Sequence, residues 1–462
     1  MKPILLTLLL ATSAIAEKPN ILLIYADDLG YGDLSSYDQK HFQTPHIDSL
    51  ATSGIRFTDH YSGSTVCAPS RDSLMTGRHT GQTSIRGNGE FSLPAEDTTV
   101  ATLLKNAGYR TALIGKSCVT GNTQTPETLA QHGFDYFFGT TDHRDGHHRY
   151  PKFVYENTRK IEFPDNHLHR GSHYDLDFYR DKTLEVIGNH DSEAPFFLVL
   201  SLPVPHAAIN VPEDSMARVR DGVQPDPIVS HPQQQPHYTH VEEPKTSYAG
   251  LMTRIDDTVG AILDTLREKG QLDNTLIIFT SDNGSHAEGG YHPDMLDSNG
   301  PLRGHKRDLY EGGIRVPMIA HWPARIPAGR ETAHISAQWD FLPTACEAAG
   351  VHPPENIQGI SYLPTLTDQG EQARHEFLYW EFQERNGRRA LRAGDWKIVQ
   401  YNLNADPQGA VELYNLTEDI GETNNLAADH PQIVEKLTTQ MNASRVPSPL
   451  FPFPALDRIS QP

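Results

Sequence analysis

The sequence predicts an α/β protein: a large mixed, mostly parallel sheet sandwiched by helices, followed by a small C-terminal antiparallel α+β subdomain. Three observations carry this. Apolar runs that read as buried strands alternate with amphipathic helical segments, the order that builds a sheet covered on both faces. Acidic, lysine and histidine residues stand where those runs stop, and open α/β sheets place function at the carboxyl ends of their strands. From about residue 370 the pattern changes to short strands separated by turn residues.

The first run is Asn20-Ile21-Leu22-Leu23-Ile24-Tyr25, which leads directly into Asp27-Asp28-Leu29-Gly30. Helices are expected at 47–51, 70–76 and 100–107, the last stopped by Gly108. A strand at 111–114 delivers Lys116, and an apolar strand at 196–202 delivers Pro205-His206. A helix over 247–269, closed by Gly270, precedes a buried strand at 275–281 that ends in Asp282-Asn283-Gly284. Two stretches, 139–175 and 219–243, lack a clear period and read as long loops, the kind that line a site in a compact domain. Strands are expected at 376–381, 389–392, 396–400 and 411–414, with a helix at 432–441. The expected division is a signal peptide over 1–16, a catalytic domain over 17–369 and the C-terminal subdomain over 370–462.

Composition narrows the class. A chain of 462 residues can bury one large core and a smaller one. Lys2, the leucine-rich stretch after it and Ala14-Ile15-Ala16 form a signal-peptide pattern. Cleavage near Ala16 and a secreted or periplasmic location are therefore expected. No later stretch is long and apolar enough to span a bilayer, and the residue directly after the expected cleavage point is Glu17 rather than a cysteine that could take a lipid anchor there. Three cysteines do not make a disulfide scaffold, and Cys118 and Cys346 pair only if the fold brings them together. A formal net charge of −20 argues against nucleic acid or an anionic membrane as the main partner. It does not argue against an anionic substrate, because that choice belongs to local cations.

Two adjacent carboxylates at the end of a buried strand repel each other and need a cation or basic neighbours to stay ionised. Asp27-Asp28 and Asp282-Asn283 are two such oxygen-rich pairs. Oxygen donors without cysteine or histidine favour Ca²⁺ or Mg²⁺ over Zn²⁺.

Cys67-Ala68-Pro69-Ser70-Arg71 has the form C-x-P-S-R. It keeps company with the run from Asn20 to Gly32, with Thr44-Pro45-His46-Ile47-Asp48, and with Gly115-Lys116 and Pro205-His206. Thr280 to Gly284, Leu302-Arg303-Gly304-His305-Lys306 and the run from Leu309 to Pro317 complete the set. With these motifs in this order, the chain resembles a type I sulfatase of the alkaline phosphatase superfamily over nearly its whole length.

The resemblance implies that Cys67 is oxidised by a formylglycine-generating or anaerobic maturation enzyme, the aldehyde hydrate then being the nucleophile. It implies a divalent metal, Ca²⁺ or Mg²⁺, on Asp27, Asp28, Asp282, Asn283 and residue 67. Arg71, one helical turn beyond Cys67, would hold the hydrate. Lys116 and Lys306 resemble the lysines that clamp the sulfate, and His206 resembles the histidine that helps protonate the leaving group. The implied substrate is a sulfated carbohydrate or a small-molecule sulfate ester. A phosphodiesterase or phosphonate hydrolase of the same superfamily, and an inactive binding protein, are the competing readings.

One departure stands out. Many sulfatases carry G-K-W-H, whereas this chain reads Gly115-Lys116-Ser117-Cys118, so the histidine expected to act as base in the second half-reaction is missing. The loop containing His143, His147 and His148 is the expected replacement. His147 is the first choice, because Gly146-His147-His148-Arg149-Tyr150-Pro151 resembles sulfatases lacking the same histidine. Arg86, Arg144, Arg149 and Arg303 are candidate contacts for a second anionic group on the substrate.

Overall fold

The computed structural model describes residues 18–191, 193–227, 238–239 and 241–457. The expected signal peptide lies outside them, as does most of the second half of the expected loop at 219–243. Ten strands form the main sheet in the spatial order Arg330–Thr332, Ile55–Phe57, Met318–His321, Thr275–Ser281, Asn20–Asp27, Phe196–Pro205, Arg110–Lys116, Tyr136–Thr140, Phe153–Glu156 and Arg159–Glu162. The five from Thr275–Ser281 to Tyr136–Thr140 are parallel, and Met318–His321 joins them antiparallel.

The near-continuous apolar character of the central strands follows from burial on both faces. Along the first strand, Leu22, Ile24 and Ala26 enter one core while Ile21, Leu23 and Tyr25 enter the other. Helices Pro45–Thr52, Asp175–Gly188 and Pro244–Glu268 cover the first face through residues such as Leu50, Leu176 and Ile255. Helices Cys67–Thr76, Val100–Asn106 and Phe341–Ala348 cover the second through Leu74, Leu104 and Leu342.

Two local expectations are corrected. The helix expected at 70–76 begins at Cys67, after an extended Val66, so the cysteine is the first helical residue. The segment expected as a loop at 139–175 contains the hairpin Phe153–Glu156 and Arg159–Glu162, which extends the sheet edge. An edge hairpin of this kind buries little: Val154 is fully covered while Arg159 and Lys160 stay exposed, so no hydrophobic period marks it. Asn157, at φ 53°, supplies the left-handed corner between the two strands. The helix Glu213–Val223 also runs into the start of the expected second loop.

The C-terminal sheet is antiparallel in sequence order, Leu378–Phe382, Arg388–Ala393, Trp396–Tyr401 and Val411–Asn415. One face packs on helix Pro431–Ala443 through Leu437 and Met441. The other docks Leu378, Trp380, Ala390 and Val399 against Tyr61, Leu309, Ile314 and Trp339 of the larger sheet's surroundings. Within this seam Lys397 Nζ lies 2.8 Å from Glu311 Oε1 and 2.9 Å from Glu422 Oε1, all three side chains being fully buried.

Removing one member of a buried ion network leaves uncompensated charge behind. Lys397→Met is therefore expected to destabilise the fold by about 3–5 kcal/mol in urea denaturation, and a loss under about 1 kcal/mol would contradict this account of the seam.

Candidate active site

Four adjacent parallel strands deliver most of the candidate side chains. Asp27 ends one strand, His206 follows the next, Lys116 ends the third, and Asp282 and Asn283 follow the strand on the other side. Asp28 turns the chain with φ 64°, a left-handed conformation that aspartate tolerates better than most residues. The turn is pinned across the sheet: the Asp28 amide donates to Asp282 Oδ1 at 3.0 Å and the Leu29 amide to Ser281 Oγ at 2.9 Å. The Asp282 amide returns the favour to the Ala26 carbonyl at 3.1 Å.

From above this edge the helix Cys67–Thr76 presents Cys67 Sγ 3.4 Å from Asp27 Oδ1. Donor atoms of Cys67, Asp27, Asp28 and His206 all lie within 4.8 Å of one another. One turn along, Arg71 places Nη2 2.9 Å from Asp282 Oδ2 and 3.5 Å from Asp27 Oδ2, while Nη1 donates to Ser201 Oγ at 2.6 Å. Lys116 Nζ bonds Asp27 Oδ2. Lys306 Nζ lies 2.7 Å from Asp28 Oδ2 and 3.5 Å from Glu288 Oε2. His206 Nε2 is 3.4 Å from Asp28 Oδ2 and 3.8 Å from Glu288 Oε2.

Burial raises all three aspartates, and their neighbours then separate them. For Asp27, Lys116, His206 and Arg71 outweigh burial and hold the carboxyl well below its usual range. For Asp28, burial wins over Lys306 and the pKa stays raised. Asp282 is pushed up to about 8 by burial and by the charge of Asp27, although Arg71 opposes this. His206 is held well below the usual imidazole value by burial and then by Lys306. The Cys67 thiol is pushed up by burial and by Asp27.

The donor set fits a hard divalent cation. Asn283 Nδ2 is engaged by Asp28 Oδ1 at 2.7 Å and by the Gly284 carbonyl at 2.9 Å, while its Oδ1 is buried without a hydrogen-bond partner. A buried carbonyl oxygen left over beside three buried carboxylates is what an oxygen-ligated cation takes up.

All of Asp27, Asp28, Cys67, Arg71, Lys116, His206, Asp282, Asn283 and Lys306 thus meet at one place. His147 comes to the same place: its ring stacks on that of His206 at 4.2 Å and 15°, and its carbonyl accepts from the Ala208 amide at 3.0 Å. Burial and the neighbouring His206 hold its pKa well below the usual value. His143 Nε2 lies 3.1 Å from the Ser117 carbonyl. Cys118 Sγ is 3.6 Å from Arg71 Nη1, and burial pushes its thiol up. Cys118 and Cys346 are both free and buried.

Of the four arginines expected to meet a second anion, three are taken internally. Arg86 pairs with Glu381 at 3.0 Å, Arg149 with Asp175 at 3.2 Å, and Arg303 bonds Tyr414 and the Glu422 carbonyl. Arg144 is exposed and already bonded to Asp142 at 2.8 Å. Conversely, Glu288 and Ser201 went unread. Ser201 sits inside an apolar strand, and Glu288 lies past the Asp282-Asn283-Gly284 turn in a segment without periodic signal.

A doubly covered α/β sheet with buried acids, lysines and a helix-borne cysteine at its carboxyl edge defines an alkaline phosphatase-like hydrolase. Within that class the chain belongs to the sulfatase family, whose members hydrolyse sulfate esters: the family model "Sulfatase" matches residues 19–351. A second model, "N-sulphoglucosamine sulphohydrolase, C-terminal", matches residues 304–446. Human steryl-sulfatase is 31% identical, with 80% of this chain and 73% of that protein covered. The N-acetylgalactosamine-6-O-sulfatase of Bacteroides thetaiotaomicron is 30% identical over 92% of each chain. Among solved structures, i-CgsB in complex with a neocarrahexaose superposes with a TM-score of 0.76 at 26% identity, 92% of each chain being covered.

If the acidic cluster is a cation site, adding Ca²⁺ is expected to raise the midpoint of thermal unfolding by several degrees and a chelator to reverse it. Asn283→Ala is expected to weaken the apparent Ca²⁺ affinity by at least about tenfold in the same titration. An unshifted midpoint in the unsubstituted protein would remove the cation from this site.

Proposed function

We propose that the protein is an exported sulfatase that acts on sulfated saccharides, with residue 67 matured to formylglycine and a Ca²⁺ or Mg²⁺ ion on Asp27, Asp28, Asp282 and Asn283. The observation that carries this reading is the convergence of Cys67 with both oxygen-rich pairs and three buried cations at adjacent strand ends. The saccharide assignment draws on the N-acetylgalactosamine-6-O-sulfatase relative and on the neocarrahexaose bound by the structural neighbour. Export rests on the pattern of residues 1–16, and no helix among the described residues is long and apolar enough to cross a membrane. Maturation would require a partner enzyme that oxidises Cys67. The C-terminal subdomain is assigned to 370–462.

In this structure the Cys67 thiol stands where the matured side chain would present its oxygen. When bound and matured, the cation and the formylglycine supply charge neutralisation and the attacking oxygen. The chain's own residues do the rest. Arg71 is held by Asp282 and Ser201, and it orients the group at position 67 from one helical turn away. Lys116 and Lys306 stand over Asp27 and Asp28, so that an arriving sulfate finds two ammonium groups already desolvated. His206, as the imidazolium, gives a proton to the departing oxygen and becomes neutral, and Glu288, 3.8 Å from its Nε2, favours the protonated form against the burial and the Lys306 charge that oppose it. The second half-reaction needs a base to draw a proton from residue 67 so that sulfate leaves. With a thiol at position 118, the stacked ring of His147 takes that part.

Mass spectrometry of residue 67 in protein expressed with a maturation enzyme is expected to show the aldehyde, and the matured protein should release sulfate from 4-nitrophenyl sulfate far faster than phosphate from the phosphate ester. His147→Ala is expected to lower kcat by about 10²-fold with little change in KM. An unaltered kcat would remove His147 from the mechanism, and the same loss in His143→Ala instead would transfer the role to that ring.

A further inference from the structure

The arginines expected to bind a second anion are engaged elsewhere, and a different one is free. Arg385 stands at the tip of the hairpin between Leu378–Phe382 and Arg388–Ala393, where Arg385, Asn386 and Gly387 take three successive left-handed conformations at φ 49°, 69° and 75°. It is exposed, and among the described residues its guanidinium has neither an ion pair nor a hydrogen bond. Its backbone, by contrast, is fixed. The buried Arg388 donates through Nη2 to the Arg385 carbonyl at 3.1 Å, and through Nη1 to the Arg307 carbonyl at 2.6 Å and to Asp308 Oδ1 at 3.1 Å. One guanidinium therefore ties the hairpin tip to the segment that follows the active-site Lys306.

Arg307 points its Nη1 at Glu288 Oε1, while Lys306 and Tyr238 hold Glu288 Oε2. Glu288 is thus shared between the catalytic cluster and the rim, and Asp308 is occupied by Arg388 and the His305 amide. Asp308 and Glu288, the acids that attract Arg385, already hold these other partners, and partial burial together with the like charges of Arg307 and Arg388 keeps its pKa below the usual value. In a chain of net charge −20, two neighbouring guanidiniums with too few acids between them are arranged to receive an anion.

We infer that Arg385 and Arg307 form a second anion subsite beside the scissile sulfate, which selects saccharides carrying another sulfate or a carboxylate next to the ester being cleaved. This rests on the sulfate-ester reading of the catalytic cluster. The C-terminal subdomain, through its first hairpin, would then determine which sulfated sugar is accepted.

The test reads binding rather than turnover. Calorimetry on the Cys67→Ala chain, loaded with Ca²⁺, compares monosulfated monosaccharides of galactose, galactosamine and glucosamine with their disulfated forms and with monosulfated disaccharides bearing a uronate. At least one second-anion ligand is expected to bind about tenfold or more tightly than its monosulfated counterpart, the worth of one charge-assisted bidentate contact. Arg385→Ala is expected to abolish that preference, and Arg385→Lys to keep part of it. The disulfated and uronate arms tell which anion the subsite takes. A preference that survives Arg385→Ala, or no preference in any arm, overturns the inference. Failure of the matured enzyme to release sulfate from 4-nitrophenyl sulfate would instead overturn the catalytic reading, since no binding measurement depends on it.

Discussion

Everything at the carboxyl edge of this sheet depends on matching buried charge. Asp27, Asp28 and Asp282 are removed from water at one point, and no carboxylate stays ionised there without a partner. Arg71, Lys116 and Lys306 are just as buried and are drawn from three different segments to meet them. Neither set is tolerable alone, which is why the helix of Cys67, the strand of Lys116 and the loop of Lys306 all have to end where they do. The balance is asymmetric, and the asymmetry is informative: Asp27 is held ionised by Lys116, His206 and Arg71, whereas Asp282 and Asp28 remain short of positive charge. The unpaired Oδ1 of Asn283 faces the same shortage.

Much of this was legible in the sequence because the chemistry sits at strand ends. The central strands are buried on both faces and so appear as unbroken apolar runs, and the residue at which each run stops is the residue that reaches the site. The strand Thr275–Ser281 has the bounds its sequence predicts, and Asp27, His206 and Asp282 stand at or just past the ends of such strands. What was not legible obeys other physics. The hairpin at 153–162 buries one side chain fully and shows no alternation. The first turn of the Cys67 helix contains Pro69 and small polar residues, so propensity placed its start three residues late. Glu288 acts through a long-range ion network, and nothing local to residues 285–291 announces it.

The arginines show the same limit more sharply. Arg86, Arg149 and Arg303 each sit in a motif-rich context, and each proves to be a strut: one to Glu381, one to Asp175, one to the C-terminal strands. Arg385 lies in a turn of low information and is exposed without an ion pair among the described residues. Whether a cation serves structure or recognition is decided by which carboxylates the fold brings near it, and that is a property of tertiary packing.

The pairing of Lys306 with Asp28 spans 278 positions, and that of Arg71 with Asp282 spans 211. Contacts of such range carry a loop-closure cost that local contacts avoid, so they form only when distant parts of the polypeptide have come together. A chain cut at its midpoint would separate Asp282, Asn283 and Lys306 from Asp27, Asp28, Cys67, Arg71, Lys116 and His206. Any ion or anion that settles at this crossing point therefore tightens the entire tertiary structure, and heat resistance of the intact chain becomes a direct gauge of occupancy at its heart.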